Sequence, residues 1–138
     1  MNKIEITLHQ GSYPTNEVRD FIEKVCRKWG LVTRDAYQIK TVIDEALTNI
    51  VRHAYKKDGG KIKIQLTYKN NTMMIKIRDW GTPMVSRKRT GPTDLVKKKK
   101  DHGLGLVMID RLMDKVTRIR RNNFNELTMK KQNIGEKR

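Results

Sequence analysis

Apolar residues recur along this chain at every second position in some stretches and at every third or fourth in others. Ile4, Ile6 and Leu8 alternate with Lys3, Glu5 and Thr7, which predicts a strand with one buried face. Gly11-Ser12-Tyr13-Pro14 interrupts it. From Asn16 to Trp29 the residues Val18, Phe21, Ile22, Val25 and Trp29 follow helical spacing, and Gly30 supplies a stop. Thr33 is the expected N-cap of a second helix running to about Tyr55, with Ala36, Ile39, Ile43, Ala46, Leu47, Ile50 and Ala54 on its apolar face. Asp58-Gly59-Gly60 is a turn. Ile62, Ile64, Leu66 and Tyr68, then Met73, Ile75 and Ile77, alternate on either side of Asn70-Asn71, the pattern of a β-hairpin. Residues 81–102 have little periodicity and are expected to form a loop. A third helix starts near Gly103, with Leu106, Ile109, Leu112 and Met113 at helical spacing. A last hairpin is expected over 115–121 and 125–131, followed by a charged tail from Ile134 to Arg138.

The predicted order is β-α-α-β-β-loop-α-β-β. One-sided strands and amphipathic helices imply an α+β fold: a two-layer sandwich with a mixed, mostly antiparallel sheet and about three helices on one face. No internal repeat or long linker divides the sequence, so one domain over 1–138 is expected.

Composition narrows the partners. The chain has 31 basic and 15 acidic residues and a net charge of +16, which favours anionic ligands and surfaces. Basic residues are dispersed over all elements and no nucleic-acid-binding motif occurs, so direct nucleic-acid binding is not expected. No apolar run approaches the roughly 20 residues of a membrane span. The alternating N-terminus does not resemble a secretory signal, and Cys26 is the single cysteine. A cytoplasmic protein is the expectation.

Three stretches carry candidate chemistry. On the second helix Glu45, Asn49 and His53 lie four apart and share a ridge. A carboxylate and a carboxamide one turn apart suit an oxygen-loving cation such as Mg²⁺, and Glu45 can act as a general base. Alone, such a ridge is more often a solvated helix face, and His53 more often structural. Asp79 ends a strand two residues before Gly81, an arrangement suited to ligand contact but also that of an ordinary Asp-x-Gly turn. Gly103-Leu104-Gly105 opens an amphipathic helix, where free N–H groups favour phosphate. It is neither a Walker A loop nor a full dinucleotide fingerprint. Lys97–Lys100 lies just upstream.

Taken together, Glu45-x-x-x-Asn49-x-x-x-His53-Ala54-Tyr55, Asp79-x-Gly81-x-Pro83 and the run Gly103 to Asp114 resemble the N-box and the two glycine boxes of the Bergerat-fold ATPases. This superfamily includes gyrase-type ATPases and histidine kinase catalytic domains. The most similar branch is that of the small bacterial anti-sigma-factor serine kinases, and the resemblance extends from about Ile4 to Lys130. It implies ATP and Mg²⁺ as cofactors, with an ATP lid over about 81–104. It further implies Asn49 as Mg²⁺ ligand, Glu45 as catalytic base and Asp79 as acceptor from the adenine amino group. Gly81 would line the base pocket, Gly103, Leu104 and Gly105 would approach the phosphates, and Thr128 would lie near Asp79. The implied activity is phosphorylation of a serine on a small anti-sigma-factor antagonist. A sigma factor is the implied second partner and a homodimer the implied assembly. The chain departs from the pattern at Asp101-His102, where relatives carry glycine, and at Asn122-Asn123-Phe124-Asn125 in the last turn. Two alternatives remain at this point: an ATP-dependent switch without kinase activity that binds a regulatory phosphatase or other signalling protein, and a basic nucleic-acid-binding module.

Overall fold

The computed structural model describes residues 1–9, 13–54, 60–83 and 104–134. Among the described residues five strands are seen: β1 (Asn2–Leu8), β2 (Ile62–Lys69), β3 (Thr72–Asp79), β4 (Lys115–Arg120) and β5 (Asn125–Lys131). Three α-helices accompany them: α1 (Thr15–Lys28), α2 (Thr33–Asn49) and α3 (Leu104–Leu112), with a π-helical turn at Ile50–Ala54. The sheet order is β1-β2-β3-β5-β4. Among the described residues all four pairings are antiparallel, in keeping with the mostly antiparallel sheet expected. Among the described residues no helix is long and apolar enough to cross a membrane.

Alternation decides which strand face is covered. Ile62, Ile64 and Leu66 of β2 and Met73, Ile75 and Ile77 of β3 are buried together with Met129 of β5. They form one core with Ile22 and Cys26 of α1 and Ile39, Val42, Ile43 and Leu47 of α2. The helices therefore lie on one side of the sheet. The face of α1 is rotated from the expected one: Phe21 is exposed, and Cys26 takes a core position. Burial pushes the Cys26 thiol up to about 12, so it is a small apolar filler here.

The turns follow from specific residues. Gly30 adopts φ +100°, and the N–H groups of Gly30 and Leu31 return to the carbonyls of Arg27 and Cys26 at 3.0 and 3.1 Å, closing α1 as a Schellman motif. Asn70 and Asn71 both have positive φ, 51° and 58°, as a two-residue type I′ hairpin requires. Thr33 is not the N-cap of α2. Val32 holds that place, and the Thr33 hydroxyl instead accepts from Arg27 Nη1 at 2.7 Å. The tail also differs from expectation at its first residue. Ile134 is buried, its N–H bonds to the Asn71 carbonyl at 3.0 Å, and its carbonyl accepts from Tyr68 Oη at 2.8 Å.

Candidate functional site

β3 delivers Asp79 into the protein because Met73, Ile75, Ile77 and Asp79 all point to the covered face. Asp79 is buried at 3% exposure, and its Oδ1 accepts from the Gly81 N–H at 3.0 Å and from Asn125 Nδ2 at 2.9 Å. The same Asn125 amide donates to the Thr82 carbonyl at 2.8 Å, and Arg120 Nη1 donates to the Gly81 carbonyl at 2.8 Å. The turn after β3 is thus held by its own aspartate, by β5 and by β4. Burial raises the Asp79 carboxyl above its usual range, an effect opposed by Asn125, Gly81 and the Arg120 charge. The other carboxylate oxygen, Oδ2, takes no hydrogen bond among the described residues.

On the other side of the strand, Trp80 leans on Phe124 with ring centres 5.8 Å apart. Lys61 Nζ sits 4.2 Å from the Trp80 ring centre, and the Arg78 guanidinium 4.9 Å from that of Phe124. These aromatic and cation–π contacts brace the turn from outside.

The α2 ridge is built differently. Asn49 is the last α-helical residue and is buried, while Glu45, one turn before it, is half-buried. Neither side chain has a hydrogen bond or ion pair among the described residues. The neighbouring Asp44 faces Arg19 at 4.0 Å. The helix was expected to continue to about Tyr55. Instead the α-helical register gives way to the π-helical turn one residue after Asn49, so His53 no longer continues the ridge in α-helical spacing. The carbonyl of His53 accepts from the Thr82 hydroxyl at 3.4 Å. That contact joins the end of the α2 segment to the turn that carries Gly81.

Thr128 is not brought to this place. It pairs with Lys76 on the sheet face away from the helices, whereas Asp79 pairs with Asn125 on the covered face. Asn125 and Thr128 are three positions apart on the strand, and an odd spacing puts them on opposite faces. Asn125, the first residue of the expected strand over 125–131, is the residue beside Asp79, and it was not singled out as a site residue. Arg120 was likewise not singled out. Of the phosphate loop, Leu104 and Gly105 open α3, while Gly103, Asp101-His102, the Lys97–Lys100 run and the rest of the expected lid from 84 onward lie outside the described residues.

The strand-end aspartate and the helix carrying Glu45 and Asn49 are joined through the contact of Thr82 with His53. The family model described as "Histidine kinase-like ATPase domain" matches residues 13–131. The chain belongs to this family. Among relatives, the serine-protein kinase RsbW of Bacillus cereus (strain AH820) is 33% identical over 120 residues, which cover 83% of this chain and 75% of the relative. RsbW of Bacillus mycoides (strain KBAB4) is 32% identical over the same shares of each chain. The solved RsbU and RsbW domains of Rv1364c from Mycobacterium tuberculosis match with a TM-score of 0.69 at 18% identity, over 96% of this chain and 32% of that one. The SiaB-SiaC complex from Pseudomonas aeruginosa matches with a TM-score of 0.63 at 13% identity, over 91% of this chain and 88% of that one. At these identities the two structures speak for the histidine kinase-like ATPase fold.

Proposed function

We propose that this chain is an ATP-dependent protein-serine kinase of the anti-sigma-factor branch. In this reading it phosphorylates a small antagonist protein, sequesters a sigma factor, assembles as a homodimer and works in the cytoplasm. The observation that carries the proposal is the pairing of a buried, prearranged Asp79 with an unengaged Glu45–Asn49 ridge, in a chain one-third identical to serine-protein kinases.

Asp79 accepts the adenine amino group on Oδ2, since Oδ1 already has two donors. Gly81 leaves room for the ring against the backbone. Asn49 fits Mg²⁺ by donor chemistry: its buried carboxamide oxygen, without a described protein partner, is a ligand for a hard cation, with Glu45 one turn away. A bound Mg²⁺ supplies charge neutralisation to the phosphates. Glu45 takes the proton of the substrate serine as its oxygen bonds to the γ-phosphorus; the bond from that phosphorus to the bridging oxygen breaks, and ADP departs. The N-terminus of α3, with Leu104 and Gly105, offers backbone N–H groups to phosphate oxygens.

Incubating the purified chain with Mg²⁺-ATP and a candidate antagonist domain, followed by phosphopeptide mass spectrometry, tests this. Phosphoserine on the antagonist is the expected result. ATP binding without transfer to any antagonist offered would instead favour the non-kinase switch.

A further inference from the structure

Basic residues that are dispersed along the chain are gathered by the strand register. The sheet face opposite the helices carries one row across all five strands: Glu5, Gln65, Lys76, Thr128 and Thr117. The row on one side of it includes Lys3, Lys130 and Lys115; the row on the other includes Lys63 and Arg78, and Lys69 stands at the end of β2. The two carboxylates of this face are already engaged. Glu5 meets Gln65 at 3.2 Å and Lys63 at 3.9 Å, and Glu126 meets Arg78 at 2.7 Å and Arg121 at 3.8 Å. Lys3, Lys69, Lys76, Lys115 and Lys130 have no ion pair among the described residues. By contrast, α1 and α2 together hold as many acidic as basic residues. The positive field of the described structure is therefore concentrated on the uncovered sheet face.

We propose that this face docks on the phosphodiester backbone of duplex nucleic acid without reading its sequence. Lysine, threonine and glutamine are the side chains that contact phosphate and sugar, and they make up most of this face. Within its five strands it carries no aromatic residue, and Trp80 and Phe124 at its rim lean on each other and hold Lys61 and Arg78, so it has no open platform on which single-stranded bases stack. Its large apolar side chains are Met74 and Ile119, too little for the apolar and aromatic centre of a protein interface, where lysine is depleted. A second copy would bring like charge against like charge. Successive strands twist by roughly 20–25°, which makes the face a saddle along which a rod can lie. The proposal is independent of ATP and of serine phosphorylation.

The test is a salt titration of binding to a duplex of about 20 base pairs, offered as DNA and as RNA. Wild type is compared with K76E/K130E on the sheet face and with K24E/K28E on α1, two double variants with the same total charge change. With three to five phosphate contacts, the log–log slope for wild-type DNA binding is about −3 to −4.5. The sheet variant should lose about two from the magnitude of that slope and bind at least tenfold more weakly than the α1 variant at 0.1 M salt. K76Q/K130Q repeats the comparison if thermal melting shows that reversal disturbs the fold. Binding to either duplex with this pattern supports the proposal. It is overturned by equal losses in both variants, by no duplex binding at 0.1 M salt, by tighter binding of single strands, or by binding of phosphatidylserine vesicles in place of duplex.

Discussion

The two halves of the proposed nucleotide site are constructed in opposite ways. At the end of β3, Asp79 is enclosed, and its turn is tied by Gly81, Asn125 and Arg120. On α2, Glu45 and Asn49 stand one turn apart without a described protein partner. The difference follows from what each half has to recognise. A purine edge is rigid and neutral, so its acceptor is best held in place beforehand, because discrimination depends on a polar group that is left unpaired by the wrong ligand. Phosphates and a cation bring their own charge and their own ligands, so the groups that meet them are left open.

Replacing Glu45 by Gln tests the open half most severely. It keeps size and polarity but removes the base, so phosphoryl transfer should fall by ~10²- to 10⁴-fold while ATP still binds. Single-turnover transfer measured beside calorimetric ATP binding separates the two. Undiminished transfer would move the base elsewhere.

Asp79→Asn tests the enclosed half. The amide cannot accept on both sides as the carboxylate does, and ATP affinity should fall by ~10- to 100-fold, the worth of a hydrogen bond to a charged group. The fold should persist, since the substitution removes a buried charge. Equal ATP titrations for variant and wild type would exclude Asp79 from base recognition, and the contrast between the halves would lose its basis.

Asn125→Ala removes the donor shared by Asp79 and the Thr82 carbonyl, leaving the buried Asp79 Oδ1 with only the Gly81 N–H. Urea unfolding should show a loss of about 1–3 kcal/mol. Glu45→Gln, with no described contact to lose, should unfold at the wild-type urea concentration. Similar destabilisation of both would mean that the α2 ridge is as tightly engaged as the strand end.

The smallest effect is that of pH. The folded Asp79 carboxyl is raised by burial, so the folded state takes up this proton at a higher pH than the unfolded chain. Its contribution to stability is therefore present below the ordinary carboxylate range and is lost as pH rises through the raised value. In the proposed site adenine binding runs the other way, because the acceptor must be ionised. Over that window, lowering pH should weaken ATP binding while adding to the stability of the free protein. Thermal melts of wild type minus Asp79→Asn across the window should display this slope, and a flat difference would remove Asp79 as its source.

Period and punctuation carried much of this molecule on their own. The strand alternations, the helix over Ile39 to Leu47, the glycine at position 30 and the asparagine pair at 70–71 are local matters, and local sterics and burial decide them. The motif positions Glu45, Asn49 and Asp79 were legible for a similar reason: each lies at a helix face or strand end whose geometry is set by its neighbours. Three-dimensional pairing supplied what remained. Asn125 and not Thr128 meets Asp79 because β3 pairs with β5, more than forty residues away, and the register of that pair fixes which side chains share a face. The same long-range register turns lysines scattered from Lys3 to Lys130 into one cationic surface. Spacing along a chain encodes a residue's position within its own element; which elements lie side by side is decided by the burial of the whole sheet against α1, α2 and α3.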